Sequence, residues 1–147
     1  MAAGNFTFYN NGKLKSLDGG IDADTDTLVM VLLASGYTPD TAAHTTYADI
    51  SGSEIGDADY SPQVISNAAF SESGGTVTFD SDNVSFGSSV SIEAKYAVVV
   101  RRDGASLASG DLLLGYVDLN TDGGSATVSS TSSEFSVNTP SGYYTAS

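Results

Sequence analysis

Cysteine and tryptophan are both missing from this chain. Without thiols there can be no disulfide, no thiolate metal site and no cysteine nucleophile. Basic residues are scarce as well. Lys13, Lys15, Lys95, Arg101 and Arg102 stand against 18 acidic residues, for a formal net charge of -13. A nucleic-acid binder needs a basic face to displace counterions from phosphates, so the charge argues against DNA or RNA as a partner and against an anionic membrane. No apolar run approaches the roughly 18 residues that span a bilayer. The start, MAAGNFTFYNNGK, lacks a basic stretch followed by an apolar block, so no signal peptide is expected. These readings lead us to expect a soluble protein made in the cytoplasm.

Helix formers are few, whereas Val, Thr, Tyr and Phe are common and 16 glycines break the chain often. β-branched and aromatic residues suit a pleated, half-buried surface. The expected fold is all-β: a single-domain antiparallel β-sandwich or partly closed barrel with extended N- and C-terminal arms. The 147 residues suit one domain, long enough to bury roughly 70% of the unfolded surface. We place an N-terminal arm or edge hairpin over 1–25, the sandwich over 26–138 and a tail over 139–147.

Within the arm, Phe6, Phe8, Lys13 and Leu14 alternate weakly, and Asn10-Asn11-Gly12 and Asp18-Gly19-Gly20 read as turns. The run TLVMVLLA, 27–34, is the strongest strand, and its continuous apolar character predicts burial on both faces. Residues 38–62 form a long connection. Thr45 to Ile50 suits one helical turn, and Ser51 with Glu54 has capping-box spacing. A connection of this length usually carries function or an interface. Strands are expected near 63–70, 76–80 and 84–86, as one continuous strand over 91–100, and over 112–119. Two short serine-rich strands follow at 126–130 and 134–138.

Three groups invite a chemical reading. Asp22, Asp24 and Asp26 alternate as calcium ligands often do. Thr27 and Leu33 break the EF-hand pattern, however, so a solvated acidic edge is the better expectation. His44 is the chain's only imidazole, and no G-x-S-x-G elbow accompanies it. A histidine hydrogen-bonded within its own loop is expected. Asp49, Glu54, Asp57 and Asp59 crowd one loop, and paired carboxylates can hydrolyse sugars. The chain offers only tyrosines near them to seat a sugar ring. No catalytic residue, cofactor or metal is assigned. The aromatic ends, Phe6, Phe8, Tyr9, Tyr143 and Tyr144, are the candidate interface residues, since Tyr and Phe are enriched in interface cores. Tucking onto the same domain is the bland alternative.

The ordered set Asp26-Thr27-Leu28, Gly36-Tyr37-Thr38-Pro39-Asp40, His44, Tyr47-Ala48-Asp49-Ile50 and Glu54-Ile55 resembles small structural proteins of tailed phages and prophages. Tyr60-Ser61-Pro62, Asn67-Ala68, the Val77-to-Val84 hairpin, Lys95-Tyr96-Ala97-Val98-Val99 and Leu114-Gly115-Tyr116-Val117-Asp118 continue it over about residues 20–120. The resemblance implies a virion protein without enzyme activity. It suggests a capsid decoration or cement protein on the capsid exterior, bound to the major capsid protein and self-associated as a homotrimer. The alternative is a head-fibre, tail or baseplate component that binds host glycan. A hydrolytic enzyme is the third class.

Overall fold

The computed structural model describes residues 4–138 and 144–146. In chain order the elements are β1 (Thr7–Phe8), α1 (Asn10–Asp18), β2 (Thr27–Leu33), β3 (Gln63–Val64) and β4 (Ala69–Ser73). They continue with β5 (Thr76–Asp80), β6 (Val84–Ala94), β7 (Tyr96–Arg102), β8 (Leu112–Asp118), β9 (Val128–Val137) and β10 (Tyr144–Ala146). All strand pairs are antiparallel. A five-stranded sheet runs β1-β8-β7-β2-β3, and it is faced by a three-stranded sheet β10-β5-β4 and a β6-β9 ribbon. This is an all-β sandwich. Among the described residues no helix is long and apolar enough to cross a membrane.

β2 lies inside the large sheet, between β7 and β3. Successive strand residues point to opposite faces. Leu28, Met30 and Leu32 therefore enter the sandwich core with Phe79, Phe86, Ile92, Val99 and Leu114. Val29, Val31 and Leu33 enter a second core with Tyr9, Tyr37, Ile50, Val98, Val100 and Leu113. Burial on both faces, expected from the apolar run, is observed. The second cover is not a sheet, however. Residues 34–62 supply it as a layer of loop and two 3₁₀ turns, Tyr47–Asp49 and Ser51–Ser53. It is tied to the sheet by the Leu33–Glu54 and Thr46–Leu112 bridges.

Five local expectations need correction. Residues 4–25 do not form a hairpin: β1 pairs with β8, and α1 follows directly. Asn10-Asn11-Gly12 opens that helix rather than a turn. A Cβ at Gly12 would collide with the Leu113 and Leu114 carbonyl oxygens, so glycine lets the helix lie against β8. Gly19, at φ 84°, ends it.

The strand expected over 91–100 is two strands in different sheets. Ala94 ends β6, and after Lys95 the chain enters the large sheet as β7. The Lys95 N–H donates to Leu33 O, and Lys95 O accepts from Leu119 N–H, which pins the corner. Alternation alone cannot reveal a corner, because both halves feed the same core. The two serine-rich strands are likewise one, β9, paired with β6 through several register shifts. The capping box is built by Thr46 and Asp49, not by Ser51 and Glu54. In the tail, β10 pairs with β5, setting Tyr144 opposite Phe79.

Candidate functional site

The cover layer gathers most of the residues singled out for chemistry. Tyr9 enters it from the β1–α1 junction, fully buried. Its hydroxyl lies 2.7 Å from the Tyr37 hydroxyl, which lies 2.7 Å from His44 Nδ1. The Asp40 N–H also reaches Nδ1, at 3.3 Å. Tyr116 and Tyr96 extend the aromatic cluster, with ring centroids 5.5 Å from Tyr9 and 5.6 Å from Tyr37 respectively. Burial pushes the Tyr9 hydroxyl well above the usual phenol range, and the Tyr37 hydroxyl up to about 12. His44 is thus hydrogen-bonded within its own loop, as expected.

Glu54 takes two phenols. Tyr47 donates to its Oε2, and Tyr60 donates to Oε1 at 2.8 Å. The Tyr60 oxygen in turn accepts the Leu32 N–H at 3.0 Å, fastening the layer to β2. Burial, then the bond to Glu54, pushes Tyr47 up to about 12. Asp49 accepts the Thr45 and Thr46 N–H groups at 2.8 and 2.9 Å, and these bonds hold its carboxyl below the usual range.

Asp57 and Asp59 act on a different element. Their carboxylates accept the Glu93 and Ser91 N–H groups, each at 2.9 Å. Those alternate amides belong to β6, which pairs with β9 in the β6-β9 ribbon. The two aspartates therefore satisfy donors that would otherwise recruit another chain. A cavity of about 280 Å³ opens nearby among Ala34, Glu54, Ile55, Asp57, Glu93 and Thr127. Its carboxylates are engaged, since Glu93 accepts the Thr127 hydroxyl at 2.8 Å. Among the described residues no group of three or more His, Asp or Glu is set to hold a metal ion.

Asp22, Asp24 and Asp26 lie in a tight turn rather than an extended edge. Asp26 Oδ2 accepts the Asp22 N–H at 2.8 Å and pairs with Arg101 Nε at 3.2 Å. Asp111, itself buried, pins the β7–β8 loop by accepting the Asp103 and Ala108 N–H groups.

Three of the five candidate interface aromatics, Phe6, Phe8 and Tyr9, pack against their own domain. Phe6 lies in the sandwich core, where it contacts Phe79 and covers Gly115. Phe8 packs beside it, half-buried. Tyr9 is buried in the second core. These three therefore follow the bland alternative, tucking onto their own domain. Tyr143 and the Tyr144 side chain lie outside the described residues. Among the described residues the exposed large apolar side chains are Leu14 (56%) and Leu17 (84%) on α1, beside exposed Lys13, together with Val64 (52%) on β3 and Val77 (39%) on β5. Leu17 was not singled out from the sequence. The signal was the three-residue spacing of two leucines, legible only once the segment is known to be helical.

Comparison with family models, with curated proteins and with solved structures returns no match for this chain.

Proposed function

We propose that this protein is a tailed-phage capsid decoration protein. It binds the outer surface of the major capsid lattice, as a homotrimer, and bridges neighbouring subunits. The sequence resemblance suggests the setting. The observation that carries the passive role is the state of the cover layer. His44, Asp49, Glu54, Asp57 and Asp59 each commit at least one side-chain polar atom to an internal hydrogen bond that fixes the fold. An acidic body suits the capsid exterior, away from packaged nucleic acid.

Contact across a subunit seam is assigned to the α1 face of Leu14 and Leu17, with Lys13 alongside. Burying that apolar area favours attachment by roughly 25 cal/mol per Å², less the cost of ordering. Repetition over many symmetry-related copies multiplies a small gain. The glycan-binding alternative asks for open aromatic rings in the 38–62 loop. There Tyr47 and Tyr60 are half-buried, with both hydroxyls on Glu54.

The test compares particles with and without the protein on heating. A higher melting temperature and better genome retention with it are expected. Equal values, or a failure to sediment with assembled shells, would overturn the proposal.

A further inference from the structure

The β6-β9 ribbon has two outer edges, and they are finished differently. On β6 the Glu93 and Ser91 N–H groups, which point away from β9, are taken by Asp57 and Asp59. The Gly87 N–H is taken by Ser85 Oγ at 3.3 Å. Glu93 and Ser129 are register partners. Partners in an antiparallel ladder either face each other with both backbone groups or turn both away. The Ser129 N–H and C=O therefore point away from β6, and those of Thr131, two residues on, do the same. Among the described residues they meet no hydrogen-bond partner.

The other open edges are short or charged. β1 and β3 are two residues long and β10 three, and β4 carries Glu72. Short edge strands and edge charges discourage pairing with another chain. β9 is ten residues long, and Glu134 is its one charged residue. Its own device is a register shift with Ser132 at φ 48°, which leaves Val128 to Ser130 in regular register and Thr131 directly after them.

We propose that β9 is the contact between two copies of this chain, joined edge to edge and antiparallel across a two-fold axis at Ser130. Ser129 of each copy then lies opposite the partner's Thr131, and these residues exchange N–H···O=C bonds. Charge selects a second copy as the occupant. At a net charge of -13, two copies repel over most of their surfaces. The exposed side chains of Ser129, Thr131, Ser132 and Ser133 form a neutral strip where they can meet. A basic partner would be drawn to the carboxylates elsewhere instead. Topology limits growth through this edge to two copies. The joined sheet runs β6-β9-β9-β6, and each β6 edge is already closed by Asp57 and Asp59. A two-stranded ribbon is marginal alone, and the pairing doubles it. A two-fold contact is distinct from a three-fold one, so the inference stands independently of the proposed capsid role.

The test is the solution mass of the full chain by sedimentation equilibrium, at concentrations up to about 1 mM, where weak contacts register. Ser129→Glu with Thr131→Glu sets like charges opposite each other across the seam. Both side chains are exposed, so this variant keeps its fold. Ser129→Pro deletes an outward N–H, which an edge strand tolerates. The wild type should have twice the mass of either variant. Equal mass in the wild type and in either variant overturns the contact, and so does a wild type that grows beyond that ratio. A Ser129→Pro chain that fails to fold would place the Ser129 amide on β6 and overturn it too.

Discussion

The Lys95 ammonium meets the Asp118 carboxylate at 2.8 Å, at the corner where the chain leaves the β6-β9 ribbon for the large sheet. Lys95 is only 2% exposed, and its ammonium also donates to the Asn120 carbonyl oxygen. Asp118 accepts the Asn120 N–H at 3.0 Å, so one ion pair holds the corner, the end of β8 and the following turn together.

Breaking this pair from the Asp118 side strands a buried cation. Removal of one partner of a buried pair typically costs roughly 3–5 kcal/mol. Asp118→Ala should fall near the low end, about 3 kcal/mol, because Asp118 keeps some contact with water. Urea unfolding at neutral pH measures this. A loss below about 1 kcal/mol would mean the ammonium finds another partner.

Among the described residues, Gly12 and Gly115 are the two places where a backbone lies too close for a side chain. A Cβ at Gly115 would stand 2.6 Å from Thr7 O as well as against the Phe6 ring. Gly12→Ala and Gly115→Ala should each destabilise by about 1–3 kcal/mol through overpacking. Gly36 has nothing within 4 Å of the equivalent position, and Gly36→Ala should stay within about 0.5 kcal/mol of the wild type. Thermal melts of the three variants make the comparison.

Under the proposed capsid role, substitutions on the exposed α1 face should separate attachment from stability. Leu14→Glu with Leu17→Glu should leave the unfolding free energy within about 0.5 kcal/mol per site, since neither side chain is packed. Co-sedimentation with capsids should fall sharply. Full retention on shells by a folded double variant would place the seam elsewhere.

In alkali, Tyr37 and Tyr47 are raised from 10.0 to about 12. The unfolded chain therefore gives up these protons first. The stability they contribute is complete below about pH 10 and drains away as pH rises through 12. Absorbance titration of the eight tyrosines should leave a fraction protonated near pH 11 until the protein unfolds. A single transition near 10 involving all of them would contradict the packing of the cover layer.

In acid the sign reverses. Asp49 is held below its ordinary value of 3.8, first by the Thr45 N–H and then by the Thr46 N–H. Its contribution is present above that value and is lost as pH falls through the lower folded one. Asp49→Asn keeps an acceptor for the turn but cannot titrate. The variant should show a shallower loss of stability below about pH 4 than the wild type. Parallel acid curves would remove Asp49 from the account.

The sequence by itself determined the class of fold and the shape of its centre. The run from Thr27 to Leu33 is apolar at both parities, so any sheet containing it must be covered on both faces. Charge set the surface character, and a lone histidine among small polar residues marked a loop held by its own hydrogen bonds. Only tertiary structure decided what forms the second cover and where the chain turns. Lys95 reads as one polar residue in a good strand, and it becomes a corner because Asp118 and Asn120, more than 20 positions away, meet its charge. The N-terminal helix was illegible for the same kind of reason. Its sequence has weak helical pattern, and it is held by the close approach of Gly12 to β8. Alternation and propensity act over a few residues, whereas burial and ion pairing are settled by whichever distant segments arrive at the same place.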